Sequence, residues 1–171
     1  MICRLLNAND VESLAAYFNA LGQETRRRYG PHPFDITTAE KLCKGDDSSL
    51  LCYVAEHDTG IVAYTVVKKG YLHFEEERYQ AYGLELNHDL DFTIAPSVAD
   101  AWQSKGVGSQ LMEFVLSDLK KRSGGKGKVL LWGGVQETND RARNFYVKFG
   151  FNDIGWFEHN GGNIDMVLRF A

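Results

Sequence analysis

Gln103-Ser104-Lys105-Gly106-Val107-Gly108, inside the stretch Pro96 to Ser109, decides how this chain is read, because the hydrophobic period changes across it. Upstream, Leu90, Phe92 and Ile94 alternate with Asp91 and Thr93 until Pro96 ends the run. Downstream, Leu111, Met112, Val115, Leu116 and Leu119 recur at helical spacing. The glycines therefore stand at a strand-to-helix junction. First-turn amides have no intrahelical carbonyl to pair with, and the helix dipole adds about half a positive charge there. Residues without Cβ let phosphate oxygens reach the backbone. The expected ligand carries a pyrophosphate, and the bland alternative is that Gly106 and Gly108 only shape a loop before a helix.

Spacing narrows the ligand. A dinucleotide fingerprint needs a third glycine where Leu111 stands, and a Walker loop needs Gly-Lys-Ser/Thr after four intervening residues; neither is present. What remains is Gln103-x-x-Gly106-x-Gly108 opening a helix.

Composition sets the outer bounds. The chain has 171 residues, 44% hydrophobic and 25% charged, which suits one domain, 1–171, with a sizeable core. No window approaches a membrane-spanning apolar run, and Met1 to Leu6 meets polar Asn7 too soon for a signal peptide, so a cytoplasmic protein without membrane contact is expected. Cys3, Cys43 and Cys52 are odd in number and form no C-x-x-C or Cys/His cluster, which speaks against disulfide scaffolding and against a metal. A formal net charge of −4 argues against nucleic-acid binding and is compatible with a cationic substrate.

Along the chain, Ile2 to Leu6 reads as a strand. Asn9 with Glu12 reads as a capping box for a helix bearing Val11, Leu14, Ala15, Phe18 and Leu21, stopped at Gly22. Glu24 to Phe34, with Arg26, Arg27, Arg28 and Tyr29, reads as an irregular connection, either a solvated loop or a wall of an acceptor pocket, before a short helix near Thr38 to Leu42. Leu50 to Glu56 and Ile61 to Lys68 form a hairpin through Gly60. Tyr71 to Tyr82, with its run Glu75-Glu76-Glu77, shows no period and is expected as a strand end and loop with solvated charges. In Leu84 to Ile94, Leu84, Leu86, Leu90, Phe92 and Ile94 share one parity, so a strand is expected with Glu85, Asp89 and Asp91 on its other face. Acids on an inner strand imply a face opening onto a site or water. Lys120 to Lys128 reads as an exposed turn and Val129 to Val135 as a buried strand. Asn139 reads as the N-cap of a helix with Ala142, Phe145, Tyr146 and Phe149 on one stripe, closed by Gly150. Phe151 to Glu158 and Ile164 to Phe170 flank Asn160-Gly161-Gly162-Asn163 as a terminal hairpin.

The block Asn139-x-x-Ala142-x-x-x-Tyr146-x-x-x-Gly150-Phe151, following Gln103-x-x-Gly106-x-Gly108, resembles the paired signature of the GNAT superfamily of acetyl-CoA-dependent N-acetyltransferases. The element order is similar as well. One departure is the six residues Ser97 to Trp102 between Pro96 and Gln103, more than is common in the family. The resemblance implies an α/β fold with a mixed, centrally splayed sheet flanked by helices, acetyl-CoA as cosubstrate, no metal, and direct attack of a primary amine through a ternary complex. It implies that Gln103, Ser104, Lys105, Gly106, Val107, Gly108 and Ser109 cradle the pyrophosphate. It further implies that backbone near Ile94 pairs with the pantetheine arm and that Asn139 and Tyr146 approach the cofactor. Tyr146 then protonates the departing thiolate, since a phenol of pKa about 10 is protonated at neutral pH; the other reading of Tyr146 is a core residue. The base is expected at Asp91, then Asp89, with His73 and His88 as alternatives, and the acceptor is expected against Arg26, Arg28, Tyr29 and Glu85. A small-molecule amine is the expected acceptor; a protein α-amine or lysine, and a noncatalytic acyl-CoA sensor, are the alternatives. A homodimer is allowed.

Overall fold

The computed structural model describes all of residues 1–171. One mixed sheet joins, in order, β1 (Ile2–Leu5), β2 (Leu50–His57), β3 (Gly60–Lys69), β4 (Phe92–Val98), β5 (Lys128–Leu131), β8 (Gly162–Arg169) and β6 (Val135–Gln136), with β7 (Asn152–Glu158) paired to β8. By contacts the chain divides into two compact units, Met1–Val67 with Ala95–Asp118, and Lys68–Ile94 with Leu119–Ala171. The α/β class with a mixed sheet and flanking helices follows the order read from the sequence.

In the first unit, β1 (Ile2–Leu5) runs antiparallel to β2 (Leu50–His57), with Ile2 opposite Glu56 and Leu5 opposite Tyr53. A tight turn leads to β3 (Gly60–Lys69), and Gly60 takes the φ of +113° that this turn demands. Helices α1 (Val11–Ala20) and α3 (Ile36–Lys44) bury Leu14, Phe18 and Ala39, as the strands bury Tyr53, Val54, Ala63 and Tyr64, while α2 (Gln23–Arg28) buries no residue. The capping box lies two residues earlier than expected. Asn7 and Asp10 close it around a 3₁₀ turn, Ala8–Asp10, and the Asp10 carboxylate is also held by Arg4 at 2.7 Å, an anchor Asn9 lacks. The irregular connection expected after Gly22 begins instead with α2. Glu24 pairs with Arg27 at 2.7 Å and with Arg28 at 2.6 Å, the i,i+3 and i,i+4 spacings that support a short helix.

The second unit holds the 3₁₀ turn His73–Glu75 and helix α4 (Glu76–Ala81), followed by the start of β4 (Phe92–Val98). After it come β5 (Lys128–Leu131), β6 (Val135–Gln136), α6 (Asp140–Lys148), β7 (Asn152–Glu158) and β8 (Gly162–Arg169). Strand β4 pairs with β5 in parallel, from Phe92 opposite Val129 to Ile94 opposite Leu131, and then runs on to Val98 past that last rung. The β7–β8 hairpin turns at Asn160 and Gly161, both at positive φ, as Asn-Gly predicts. Tyr71, Tyr79, Leu84, Leu130 and Val167 form a core cluster. The remaining helix, α5 (Val107–Arg122), starts in the first unit and ends in the second.

Further expectations fail here for identifiable reasons. Residues 84–91 are not strand: the Asn87 side chain accepts from the amides of Asp89 (2.8 Å) and Leu90 (3.2 Å), an Asx turn that displaces extended pairing. Leu84 is buried because it joins the core cluster from a loop, so its parity with Phe92 and Ile94 was coincidental. The strand expected over Val129 to Val135 breaks at Gly133 and Gly134, with φ of +74° and +65°, and a Cβ on Gly134 would stand 2.7 Å from the Ile164 carbonyl oxygen. No helix is long and apolar enough to cross a membrane.

Candidate active site

The turn expected to hold a pyrophosphate is built within the first unit. After β4, Ala99 donates to the Val62 carbonyl at 2.9 Å, and a 3₁₀ turn, Asp100–Trp102, takes up half of the six-residue segment between Pro96 and Gln103. The Gln103 side-chain amide donates to the Val98 carbonyl at 3.2 Å and to Thr25 Oγ1 at 3.4 Å, while Thr25 donates to Asp100 at 3.0 Å. Gln103 thus braces the turn. Ser104 (φ 62°) and Gly106 (φ 83°) then adopt left-handed backbone immediately before α5, the kind of conformation that turns successive amides toward one concavity. A Cβ on Gly106 would meet nothing within 4 Å, so open space lies over the turn. Ser104, Lys105 and Gly106 are exposed and Val107 is buried as the helix's first anchor. A cradle of exposed backbone at the start of a 16-residue helix fits a pyrophosphate.

The same unit carries a half-buried aromatic group that sequence reading largely missed. Tyr29 donates to the Ala95 carbonyl at 3.1 Å, and its ring lies 5.5 Å from His32 and 5.2 Å from Phe34. His32 Nε2 meets the Tyr64 hydroxyl at 3.0 Å and Nδ1 meets the Pro33 carbonyl at 2.8 Å; burial pulls its pKa below the ordinary value. These residues have no common period, and their only sequence signal was aromatic density near Pro31 and Pro33. Arg26 is displaced from its expected role. Its guanidinium donates to the carbonyls of Phe18 and Leu21 (2.9 Å for the latter), capping the end of α1, and lies 5.3 Å over the Phe34 ring.

In the second unit, Asn139 is the N-cap of α6, as expected, accepting from the Ala142 amide at 3.3 Å. Tyr146 is buried on the apolar stripe, its ring edge-on to Phe145 at 5.5 Å and to Phe151 at 5.4 Å, and burial raises its phenol pKa well above the ordinary value. The Ile94 carbonyl, expected beside the pantetheine arm, accepts from the Trp132 amide at 2.9 Å, and the pairing of β4 with β5 ends there.

The carboxylates chosen from the 84–94 pattern do not share a face. Asp91 is buried and accepts from the amides of Asn87 (2.7 Å) and Lys128 (2.9 Å), with the Lys128 ammonium at 3.5 Å. It clamps the loop entering β4 to the start of β5. Asp89 and Glu85 are exposed on turn and loop. Asp91→Asn is expected to cost about 2–4 kcal/mol of stability, because one carboxylate oxygen becomes a donor facing a buried donor, while kcat of the folded enzyme is kept. Thermal unfolding with a parallel activity assay checks this, and a stable variant with lost kcat would restore Asp91 to the chemistry. Of the histidines weighed as bases, His73 is exposed beside Glu76 at 3.5 Å, and His88 stacks on Tyr71 at 3.9 Å.

Sequence reading also missed a buried charge cluster in this unit. Glu75, Arg78, Tyr82 and Asp165 interlock, with Arg78 donating to Asp165 at 2.7 Å and to Glu75 at 2.5 Å, and Tyr82 donating to Asp165 at 2.8 Å. Glu75 is wholly buried, against the expectation of a solvated acidic run. The available signal was Asp165 itself, an acid inside the apolar run Ile164 to Leu168 that required a partner. No group of three or more His, Cys, Asp or Glu side chains converges to hold a metal ion.

The pattern of the acetyltransferase (GNAT) family matches residues 14–151, and the chain belongs to that family. It is an acyltransferase, and the family's acetyl donor is acetyl-CoA. No curated protein matches it in sequence. Among solved structures, a GNAT-family acetyltransferase from Streptococcus pneumoniae aligns with a TM-score of 0.75 and 15% identity over 99% of each chain. The ribosomal-protein-alanine N-acetyltransferase from Brucella melitensis aligns with 0.73 and 16% over 99% of each chain. The GNAT domain of S. lividans PAT aligns with 0.73 and 17%, over 98% of this chain and 89% of that one. At these identities the likeness is one of fold.

Proposed function

We propose that this acetyltransferase moves the acetyl group of acetyl-CoA to a primary amine of a small molecule by direct attack in a ternary complex. The observation that carries it is the turn at Ser104 to Gly106, two left-handed residues opening onto a long helix with empty space above them. Backbone amides from Ser104 to Ser109 bind the pyrophosphate, with Lys105 adding charge at the surface and Gln103 bracing the turn from behind. The part of β4 after Ile94, no longer paired with β5, offers backbone to the pantetheine arm. Tyr146 protonates the departing thiolate, and Asn139, by capping α6, holds that helix in place.

A small acceptor is favoured by the bridge from Tyr29 to the Ala95 carbonyl, which ties the segment after α2 to β4 and takes up one backbone acceptor that an extended peptide would use. Tyr29 and Arg28 remain the acceptor-side residues of that segment. Arg28→Ala is expected to raise the acceptor KM by roughly tenfold with kcat kept, the pattern of one lost charged contact that is equal in ground and transition states. An unchanged KM would take Arg28 out of the acceptor site. The function itself is tested by free-thiol release from acetyl-CoA over a panel of small amines, N-terminal peptides and lysine peptides. Turnover confined to small amines supports the proposal, turnover on peptides alone reassigns the acceptor, and CoA binding without any turnover replaces the enzyme by a sensor.

A further inference from the structure

We propose that Glu75 receives the ammonium group of the acceptor and takes its proton, an inference that rests on the acetyl-transfer reading above. The Glu75 side chain is wholly buried, and its Oε2 accepts from the Gly133 amide at 3.1 Å and from Arg78 at 2.5 Å. Its Oε1 is equally shielded and has no hydrogen-bond partner. A buried carboxylate oxygen left so is destabilising, and a ligand donor would recover that cost. The charges of the cluster do not balance either. Glu75 and Asp165 are both buried and face the one guanidinium of Arg78, so the cluster is one positive charge short. A buried excess of negative charge calls for a cation or a proton.

Position supplies the rest. Gly133, whose amide holds Glu75, is itself exposed, and a Cβ there would meet nothing within 4 Å, so the backbone beside the carboxylate borders open space. The Tyr79 hydroxyl donates to the Leu131 carbonyl at 3.2 Å, which fixes the segment carrying Glu75 at the carboxyl end of β5, beside its last rung with β4. Open α/β sheets receive ligands at the carboxyl ends of their strands. Burial, with Asp165 adding to it, pushes the Glu75 carboxyl above its usual range, while Arg78 and the Gly133 amide oppose the rise; Tyr79 and Tyr82 are the other titratable groups facing the cluster. Glu75, with one oxygen unpartnered, is better placed to meet an ammonium than Asp91, whose oxygens are committed to backbone amides.

The step balances as follows. One N–H proton of the ammonium passes to Glu75 Oε1, the freed nitrogen pair forms the C–N bond to the thioester carbonyl carbon, and the C–S bond breaks with its pair on sulfur. Sulfur takes the Tyr146 proton, and the second nitrogen proton leaves to solvent as the amide forms.

The test is Glu75→Gln, measured for CoA affinity and for kcat/KM against pH with one amine. The expected result is unchanged CoA affinity, a kcat/KM lower by roughly 100- to 10,000-fold, and loss of the acid limb that wild type shows above the ordinary glutamate range. A variant within threefold of wild type, or one that keeps the same acid limb, overturns the assignment while the acetyl-transfer reading stands. Wild type that turns over no amine overturns that reading instead. Because the variant also weakens the contact with Arg78, carboxyl ¹³C NMR of wild type gives an independent readout. The Glu75 resonance should titrate above the usual range and shift on adding the amine, and a resonance indifferent to saturating amine in the presence of CoA overturns the proposal.

Discussion

Gly108→Glu is expected to weaken CoA binding by roughly 1,000-fold while the fold persists. Gly108 is the second residue of α5 and does not take a left-handed φ, so a side chain there meets no backbone strain. A carboxylate in the first turn complements the helix dipole and should leave α5 at least as stable. The same carboxylate would sit against the pyrophosphate. Two like charges about 4 Å apart near a protein surface repel by about 4 kcal/mol, close to three decades of affinity. The neutral variant Gly108→Ala, which adds bulk without charge, should lose far less. Calorimetry with CoA and a thermal unfolding scan separate the cases. A folded Gly108→Glu protein with wild-type affinity would move the nucleotide away from this turn and remove the basis of the functional proposal.

Much of the frame was legible because it rests on short-range rules. The strand-to-helix junction at Gln103, the Asn139 cap with its Tyr146 stripe, and the Asn160-Gly161 turn each depend on residues close in sequence. What was not legible depends on partners far away in the chain. Residues 84–94 offered a faultless alternation, yet Asn87 turned the chain and Asp91 was spent on the amides of Asn87 and Lys128. Three successive arginines suggested a charged pocket wall, whereas Arg26 caps α1 and Arg27 pairs with Glu24. The run Glu75-Glu76-Glu77 looked like solvated charge, and its first member proved to be wholly buried. Only the reach of Arg78 to Asp165, 87 positions away, explains that burial. A helix as short as α4, Glu76–Ala81, shows too little period to announce which of its side chains points inward.

Tyr146→Phe is expected to lower kcat by roughly ten- to a thousandfold, the range of a lost general acid, with acetyl-CoA affinity nearly unchanged. The substitution removes one oxygen and keeps the ring, which is held edge-on between Phe145 and Phe151. The chain turn behind it depends on the backbone, since the Tyr146 carbonyl accepts from the amides of Phe149 (3.0 Å) and Phe151 (3.1 Å). Unfolding should therefore shift by no more than a degree or two, so a fall in kcat cannot be assigned to damage. The raised phenol pKa fixes the pH behaviour as well. An acid whose pKa is raised stays protonated up to that pKa and is lost only as pH rises through it, so ionisation of Tyr146 should cut no alkaline limb into wild-type kcat below about pH 10. Between pH 6 and 10 the deficit of Tyr146→Phe should accordingly be constant. A deficit that vanishes toward high pH would show that the leaving thiolate needs no proton from Tyr146. A wild-type kcat across the whole range would make the residue part of the packing of α6 and nothing more.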